Sequence, residues 1–488
     1  MVTLACKLKL PNSDPSLEVT SLLFEPLSNS LALMHSDSSI LLTSSPSLFS
    51  PSLSFSFPHQ TLIPPNSTSA CFLRLLPNPN STDGRVLFVV AGPHNGGSSI
   101  LLRFWILGKN QRFAKARVNC TQKSLDCGHR LGVVVDLSHG FSVKLSGSVN
   151  VFALHSISAR KIWVFAAKTV GDADDGLGVN LMKCAIIDCT MPICSITVSF
   201  GFLLLGENNG VRVFPLRPLV KGRPSRQREL ARRREHYQSG GLNGDVLKTG
   251  ELHLQNEMIQ TTNGSNDLSS TSVTYSKHGI SDRNGKIAGL EGTSEIFANG
   301  YTIKTEVHRV SEKTRTLKLR QDACEGGSCF IAFKSLEVQS PQPMTVALLS
   351  LKAVSIHALS SKKFLVLDSA GDLHLLILYN VLGSEINGHM KHFNHTMKVQ
   401  MLAVLPDISM RTQIVWVSDG YHSVHIISVS DMDIPINENG KADGIEKPIQ
   451  ISAIQAIFAS EKIQDIALLA ANAILILGQG TMYAYAVS

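Results

Sequence analysis

The chain has 488 residues, of which 43% are hydrophobic and only 17% charged; the charged share lies below the roughly 25% of an average soluble protein, a balance that suits many buried strands better than helical bundles. Nine scattered cysteines, with no secretory signal before them, predict thiols in a reducing compartment and no disulfides. The longest apolar runs, such as Ile466 to Leu477, reach about a dozen residues and contain Asn472, whereas a membrane helix needs around twenty, so no transmembrane segment and no membrane partner are expected.

Taken in order, the chain opens on the alternating stretch Val2 to Leu10. A first unit follows as VTSLLFEP, SLALMHSD and SILLTSS, with Ser36 to Ser38 as a turn. The alternation around Leu53, Phe55 and Phe57 supplies its candidate outer strand, and the prolines nearby suit a sheet edge. A second unit reads ACFLRLL, RVLFVVAG and SILLRFWIL, with RFAKARVNC as candidate outer strand. A third is looser: VNVFALHSIS, KIWVFAAK and, beyond the acidic loop at Asp172 to Asp175, LMKCAIIDC; one strand is missing between it and the next unit. The fourth reads CSITVSF, FLLLGE and GVRVFPLR, with an Asn-Gly hairpin turn at Asn209-Gly210. After a long break come VSIHALS, FLVLDS and DLHLLILY, then QMLAVLP, IVWVSD and SVHIISV, and finally the unit within Ile451 to Ser488.

Seven small sheets that cannot each bury two faces point to radial repetition. The strand-turn-strand segments FLLLGENNGVRVFPL, FLVLDSAGDLHLLIL and IVWVSDGYHSVHIISV resemble the corresponding half of WD40-like repeats. That resemblance implies an all-β fold, a β-propeller of about seven blades, with residues 1–218 as its first half and 321–488 as its second. No unit ends in Trp-Asp, and the Gly-His pairs at Gly128 and Gly388 do not recur in phase. The last unit has only three strands, so Val2 to Leu10 is expected to close the ring as its fourth, with Leu4, Cys6, Leu8 and Leu10 facing a neighbour and Thr3, Lys7 and Lys9 facing solvent.

From 219 to 320 the apolar periodicity lapses into Gly, Ser, Asn and Thr, which predicts a long disordered insert. Its net charge of +6 accounts for nearly all of the chain's +7. The cations concentrate at Lys221, Arg223, Arg226, Arg228, Arg232, Arg233 and Arg234, on a helix expected from Ser225 through Gln238 that has no apolar stripe to dock it. Two readings stand for this run: an import signal or contact for nucleic acid or an acidic partner, and a solvated linker helix. Near the insert's end TIKTEVHRV, TRTLKLR or CFIAFKSLEV is a candidate outer strand of the fourth unit, which places the insert between the last two strands of one blade.

The patterns of a nucleophile elbow, a zincin helix and a phosphate loop do not occur. His389, His392 and His395, spaced by three, fall on different faces of either a helix or a strand, and zinc sites favour cysteine pairs closer than the spacing of five at Cys184, Cys189 and Cys194. No catalytic, cofactor or metal site is therefore assigned. Trp105, Trp163 and Trp416 are read as inter-blade packing. The expected function is a non-enzymatic intracellular scaffold with protein partners, in the nucleus or cytoplasm, the alternatives being a nucleic-acid-associated nuclear factor and an enzyme using the propeller channel.

Overall fold

Runs of β-branched and aliphatic residues, cut every five to ten positions by Gly, Asn, Ser or Asp, fold into antiparallel strands whose hairpins are too short to leave the local sheet. The computed structural model describes residues 3–8, 17–44, 60–77, 84–120, 122, 125–128, 131–140, 142–170, 178–221, 315–319, 327–333, 350–379, 386–393, 397–405, 412–431 and 449–487. Its strands make seven sheets. Numbered along the chain, the first strands of the seven blades are Val19–Glu25, Ser69–Leu75, Val143–Gly147, Ser195–Ser199, Ala353–Ala358, Met401–Val404 and Asp465–Ala470. Each of these touches the first strand of the next blade, and the seventh touches the first, so the blades form a closed ring with the first strands innermost.

Seven apolar clusters hold the ring, one for each junction between neighbouring blades. Trp105, Trp163 and Trp416 are buried in three different ones. The inner strands carry one free backbone edge toward the channel, and hydroxyl and carboxyl side chains satisfy part of it across blade boundaries. Ser195 Oγ donates to Ala353 O at 2.8 Å and Thr197 Oγ1 to Ile356 O at 2.9 Å. Ser146 Oγ accepts from Val198 N, Ser69 Oγ from Leu145 N and Asp465 Oδ2 from Leu22 N. Buried amides and carbonyls must be paired, and here the pairing also ties blade to blade.

The ring closes as expected. Thr3–Leu8 pairs antiparallel with Met482–Val487, Thr3 opposite Val487 and Leu8 opposite Met482. Leu8 is buried and Cys6 packs beside it between the seventh and first blades, while Lys7 is exposed over the Tyr483 ring; Leu10 and Lys9 lie outside the described residues.

Two outer-edge expectations change, and two strands that the sequence left open find their places. In the first blade the fourth strand is Gln60–Ile63, and Leu53 to Phe57 lies outside the described residues. In the second, Phe113–Lys115 pairs with Ser99–Leu107 as expected, but only beside its second half; Gly132–Val135 covers the first half, and Asp126–Gly128 extends the sheet beyond it. The remainder of that run, Arg117–Cys120, crosses to the third blade and lies parallel on Gly178–Cys189. The missing strand near the third unit is Val143–Gly147, its innermost strand. The fourth blade is completed by Cys329–Ala332, whereas Arg315–Leu319 adds a second parallel strand to Gly178–Cys189.

The chain leaves the fourth blade through a short helix, Leu216–Lys221, with Leu216 and Leu219 buried in the cluster between the third and fourth blades. Ordered packing therefore runs past residue 218. The expected helix from Ser225 through Gln238 lies outside the described residues, as does everything from 222 to 314. Its placement between the third and fourth strands of the fourth blade is as expected.

Candidate functional site on the hairpin face

Antiparallel order sends the turn between second and third strands, and the step from each blade to the next, to one face of the ring. Several second strands end there on a polar residue that is then wired into its turn. In the fifth blade Asp368 Oδ1 accepts from the backbone N–H of Ala370 and Asp372 at 2.8 and 2.9 Å, and Oδ2 lies 2.8 Å from His374 Nε2. Burial lowers the His374 pKa below its ordinary value despite that carboxylate. In the sixth blade Asp419 accepts from Tyr421 N, Ser423 N and Ser423 Oγ at 2.8, 3.2 and 2.8 Å. His35 Nδ1 lies 3.1 Å from Ser39 Oγ in the first blade and His94 Nδ1 3.0 Å from Ser99 Oγ in the second. The fourth blade uses a buried ion pair, Arg212 Nε to Glu207 Oε1 at 2.6 Å, with the guanidinium 5.2 Å from the Phe330 ring centre. These contacts hold the turns and fix the shape of the face, although His374 Nδ1 is buried without a hydrogen-bond partner.

Against this fixed background one part of the face is open. Tyr421, in the hairpin turn of the sixth blade, is 56% exposed, and Phe458, at the end of that blade's outer strand, is 75% exposed. Ala459 N–H donates to His422 O and Ile463 N–H to Tyr421 O, at 2.8 and 2.7 Å. These bonds fasten the turn to the step into the seventh blade. Lys462 Nζ sits 5.9 Å from the Tyr421 ring centre. Beside it, where the sixth, seventh and first blades meet, lies a cavity of about 400 Å³ whose lining includes Glu18, Gln400, Gly420, Lys462, Gln464 and Gln479. Gln464 Nε2 donates to Glu18 Oε1 at 2.7 Å, while its Oε1 is buried without a hydrogen-bond partner. Gly420 has φ of +75°, which a side chain resists, and the turn passes close to Gln400. Exposed aromatics, a cation and an amide-lined hollow are the materials of a protein contact.

Asp465 stands next to Gln464. Its carboxylate accepts from Leu22 N and Ile466 N, both at 2.8 Å, yet burial dominates and raises its pKa to about 6. It joins the seventh blade to the first and is committed to that junction.

The sequence-predicted cations are divided by the structure. Lys221 is exposed at the end of its helix; Arg223, Arg226, Arg228, Arg232, Arg233 and Arg234 lie outside the described residues. His389 stacks on Tyr379 and His392 packs edge-on to His374, so the two point to different neighbours; His395 lies outside the described residues. Among those residues no group of three potential metal ligands converges. The cysteine expectation needs correction. Cys120 and Cys127 form a disulfide, their Cα atoms 6.4 Å apart. Spacing alone gave no sign of it, because the two belong to the outer edges of different blades.

No family model matches the sequence, and no curated protein matches it. Among solved structures the chain is similar to the RRP9 WD40 repeats, at 8% identity over 99% of this chain and 97% of that one, with a TM-score of 0.41. It is also similar to the Myceliophteria thermophila Cps50 (Swd1) beta-propeller domain, at 10% identity over 99% and 100%, TM-score 0.41, and to U3-55K, at 8% over 99% and 98%, TM-score 0.37.

Proposed function

We propose that this WD40-like propeller is a non-catalytic interaction scaffold that receives protein partners on its hairpin face, at the hollow between the sixth, seventh and first blades. The observation that carries the reading is the pairing of exposed Tyr421 and Phe458 with Lys462 beside an amide-lined cavity, on a face where Asp368 and Asp419 are engaged with their own turns. Tyrosine and phenylalanine held at a rigid surface lose little entropy on contact and bury large areas. The Ser and Thr that point between inner strands hold backbone groups, which supports a structural rather than a chemical use of the channel.

The test is affinity purification of the intact chain beside a Tyr421→Ala, Phe458→Ala, Lys462→Glu variant. Partners recovered with the intact chain and lost from the equally stable variant are the expected result. Recovery of the same proteins at the same yield by both would overturn the placement of the contact.

A second reading concerns the address of the scaffold. The basic run starts from a fixed point, Lys221 on a helix anchored by Leu216 and Leu219, which supports its use as a nuclear-import signal or a contact for an acidic partner, nucleic acid included. Replacing Arg232, Arg233 and Arg234 with Ala is expected to shift a fluorescently tagged chain toward the cytoplasm and to lower its retention on heparin. An unchanged distribution and unchanged retention would remove this reading.

A further inference from the structure

We propose that Cys120 and Cys127 are a reversible thiol–disulfide site that latches the outer edges of the second and third blades together. Cys120 ends the parallel strand Arg117–Cys120 and sits opposite Leu181 of the third blade. Cys127 is the middle residue of Asp126–Gly128, opposite Val133 on the outer edge of the second. The bond between them is the one disulfide among the described residues. Both cysteines are half-buried and pack on the apolar cluster of that junction, which leaves them within reach of a small disulfide.

The loop they enclose has a structural task. Two parallel strands cover the long outer strand Gly178–Cys189, one opposite Gly178 to Leu181 and the other opposite Ala185 to Cys189. Between them the edge is covered by a side chain: Gln122 Oε1 accepts from Lys183 N and Gln122 Nε2 donates to Lys183 O, both at 2.8 Å. One amide thus imitates a residue of a neighbouring strand. Leu125, in the same loop, is buried in the junction cluster. The latch holds Gln122 and Arg117–Cys120 in place, and opening it frees an edge that is otherwise a template for pairing with another chain.

Two of the other described thiols are poorly placed for such chemistry. Burial pushes Cys71 far above its ordinary value and Cys189 up to about 12, which removes the thiolate that exchange requires. With glutathione disulfide as oxidant, the thiolate of one cysteine attacks a glutathione sulfur, forms a mixed disulfide and releases one glutathione. The thiolate of the other then attacks the protein sulfur of that mixed disulfide and releases the second. Two thiols are oxidised, one glutathione disulfide is reduced to two glutathiones, and the two thiol protons pass to the leaving thiolates or solvent. Excess glutathione reverses both steps.

The experiment equilibrates the full chain in buffers of stepped glutathione to glutathione-disulfide ratio, alkylates, and reads both peptide masses and amide hydrogen exchange. The expected result is a Cys120–Cys127 cross-linked peptide that appears and disappears with the ratio. Exchange across Arg117–Cys120 and Met182–Cys184 should be at least about tenfold slower in the oxidised chain, and Cys120→Ser and Cys127→Ser should each abolish the response. Alkylation of both cysteines at every ratio, a cross-link from Cys120 to any other cysteine, or a cross-link that leaves exchange in both segments unchanged would each overturn the proposal.

Discussion

Leu8→Ala is the most direct probe of ring closure, because Leu8 belongs to the first strand of the chain and is only 2% exposed among residues of the seventh and first blades. The substitution removes three carbons from the cluster that Leu8 shares with Leu31, Leu33, Met482 and Ala484. Fully buried leucine-to-alanine changes cost about 2.7–5.0 kcal/mol, according to how far the surroundings relax. An outer strand relaxes more easily than a central one, so the lower end, about 3 kcal/mol, is the working value. At about 2 cal/mol/K per residue, a cooperative unit of roughly 400 residues has an unfolding entropy near 0.8 kcal/mol/K, so the thermal midpoint should fall by about 3–4 °C. Lys7→Ala, on the exposed side of the same strand, should move it by less than about 1 °C. Differential scanning calorimetry on both variants decides the matter. If Leu8→Ala melts with the parent, or if Lys7→Ala does the greater harm, the strand does not pack as described. Deleting residues 1–10 should also uncover the Met482–Val487 edge and produce oligomers on size exclusion.

Removing Glu207 as Ala leaves Arg212 buried without its partner and should cost about 3–5 kcal/mol in urea denaturation, with Glu207→Gln milder; equal stability of Glu207→Ala and parent would contradict the pair. Asp465 gives a pH signature. Its folded pKa, about 6, lies above the ordinary 3.8, so its favourable contribution is complete below pH 3.8 and is lost as pH rises through 6, up to about 3 kcal/mol at 1.36 kcal/mol per pH unit. Relative to parent, Asp465→Asn should therefore fare better at pH 7.5 than at pH 4.5, and a stability difference independent of pH would refute the assignment. At Gly92 a Cβ would stand within bonding distance of Asn66 O, so Gly92→Ala should lose soluble expression or melt far below the parent; a normal melt would show that the two segments do not meet.

Most of the architecture was legible because apolar alternation and hairpin residues are local signals. The turns at Asn209-Gly210 and Gly371 needed only neighbours in sequence, and the strand from Val2 to Leu10 followed by elimination, since the last unit lacked a fourth strand and this stretch had no unit of its own. What escaped was non-local or weakly patterned. Val143–Gly147 has two large apolar residues, Val143 and Leu145, interrupted by Lys144 and followed by small ones, too little periodicity to mark a strand; its place is set by the second and fourth blades on either side. Arg117–Cys120 and Arg315–Leu319 pair in parallel with a strand far away in sequence, and parallel partners leave no hairpin signature. The candidate site was illegible for a related reason. Tyr421 and Phe458 are separated by a whole strand pair; the antiparallel register that sets Phe458 opposite Ser423, together with the bond from Ala459 N–H to His422 O, brings their segments together. The sequence did show that Asp419 and Gly420 make a turn, since those residue types satisfy turns whatever the fold.

The long connection of the fourth blade departs at Lys221 and comes back at Arg315–Leu319, and both attachment points pack on one apolar cluster through Leu216, Leu219 and Leu317. A connection pinned at both ends transmits little of its own length to its host, since doubling a flexible loop costs only about 0.6 kcal/mol in closure entropy. A folded reporter, or a duplicated copy of the connection, spliced between residues 222 and 314 should therefore leave the melting of the seven blades close to that of the parent.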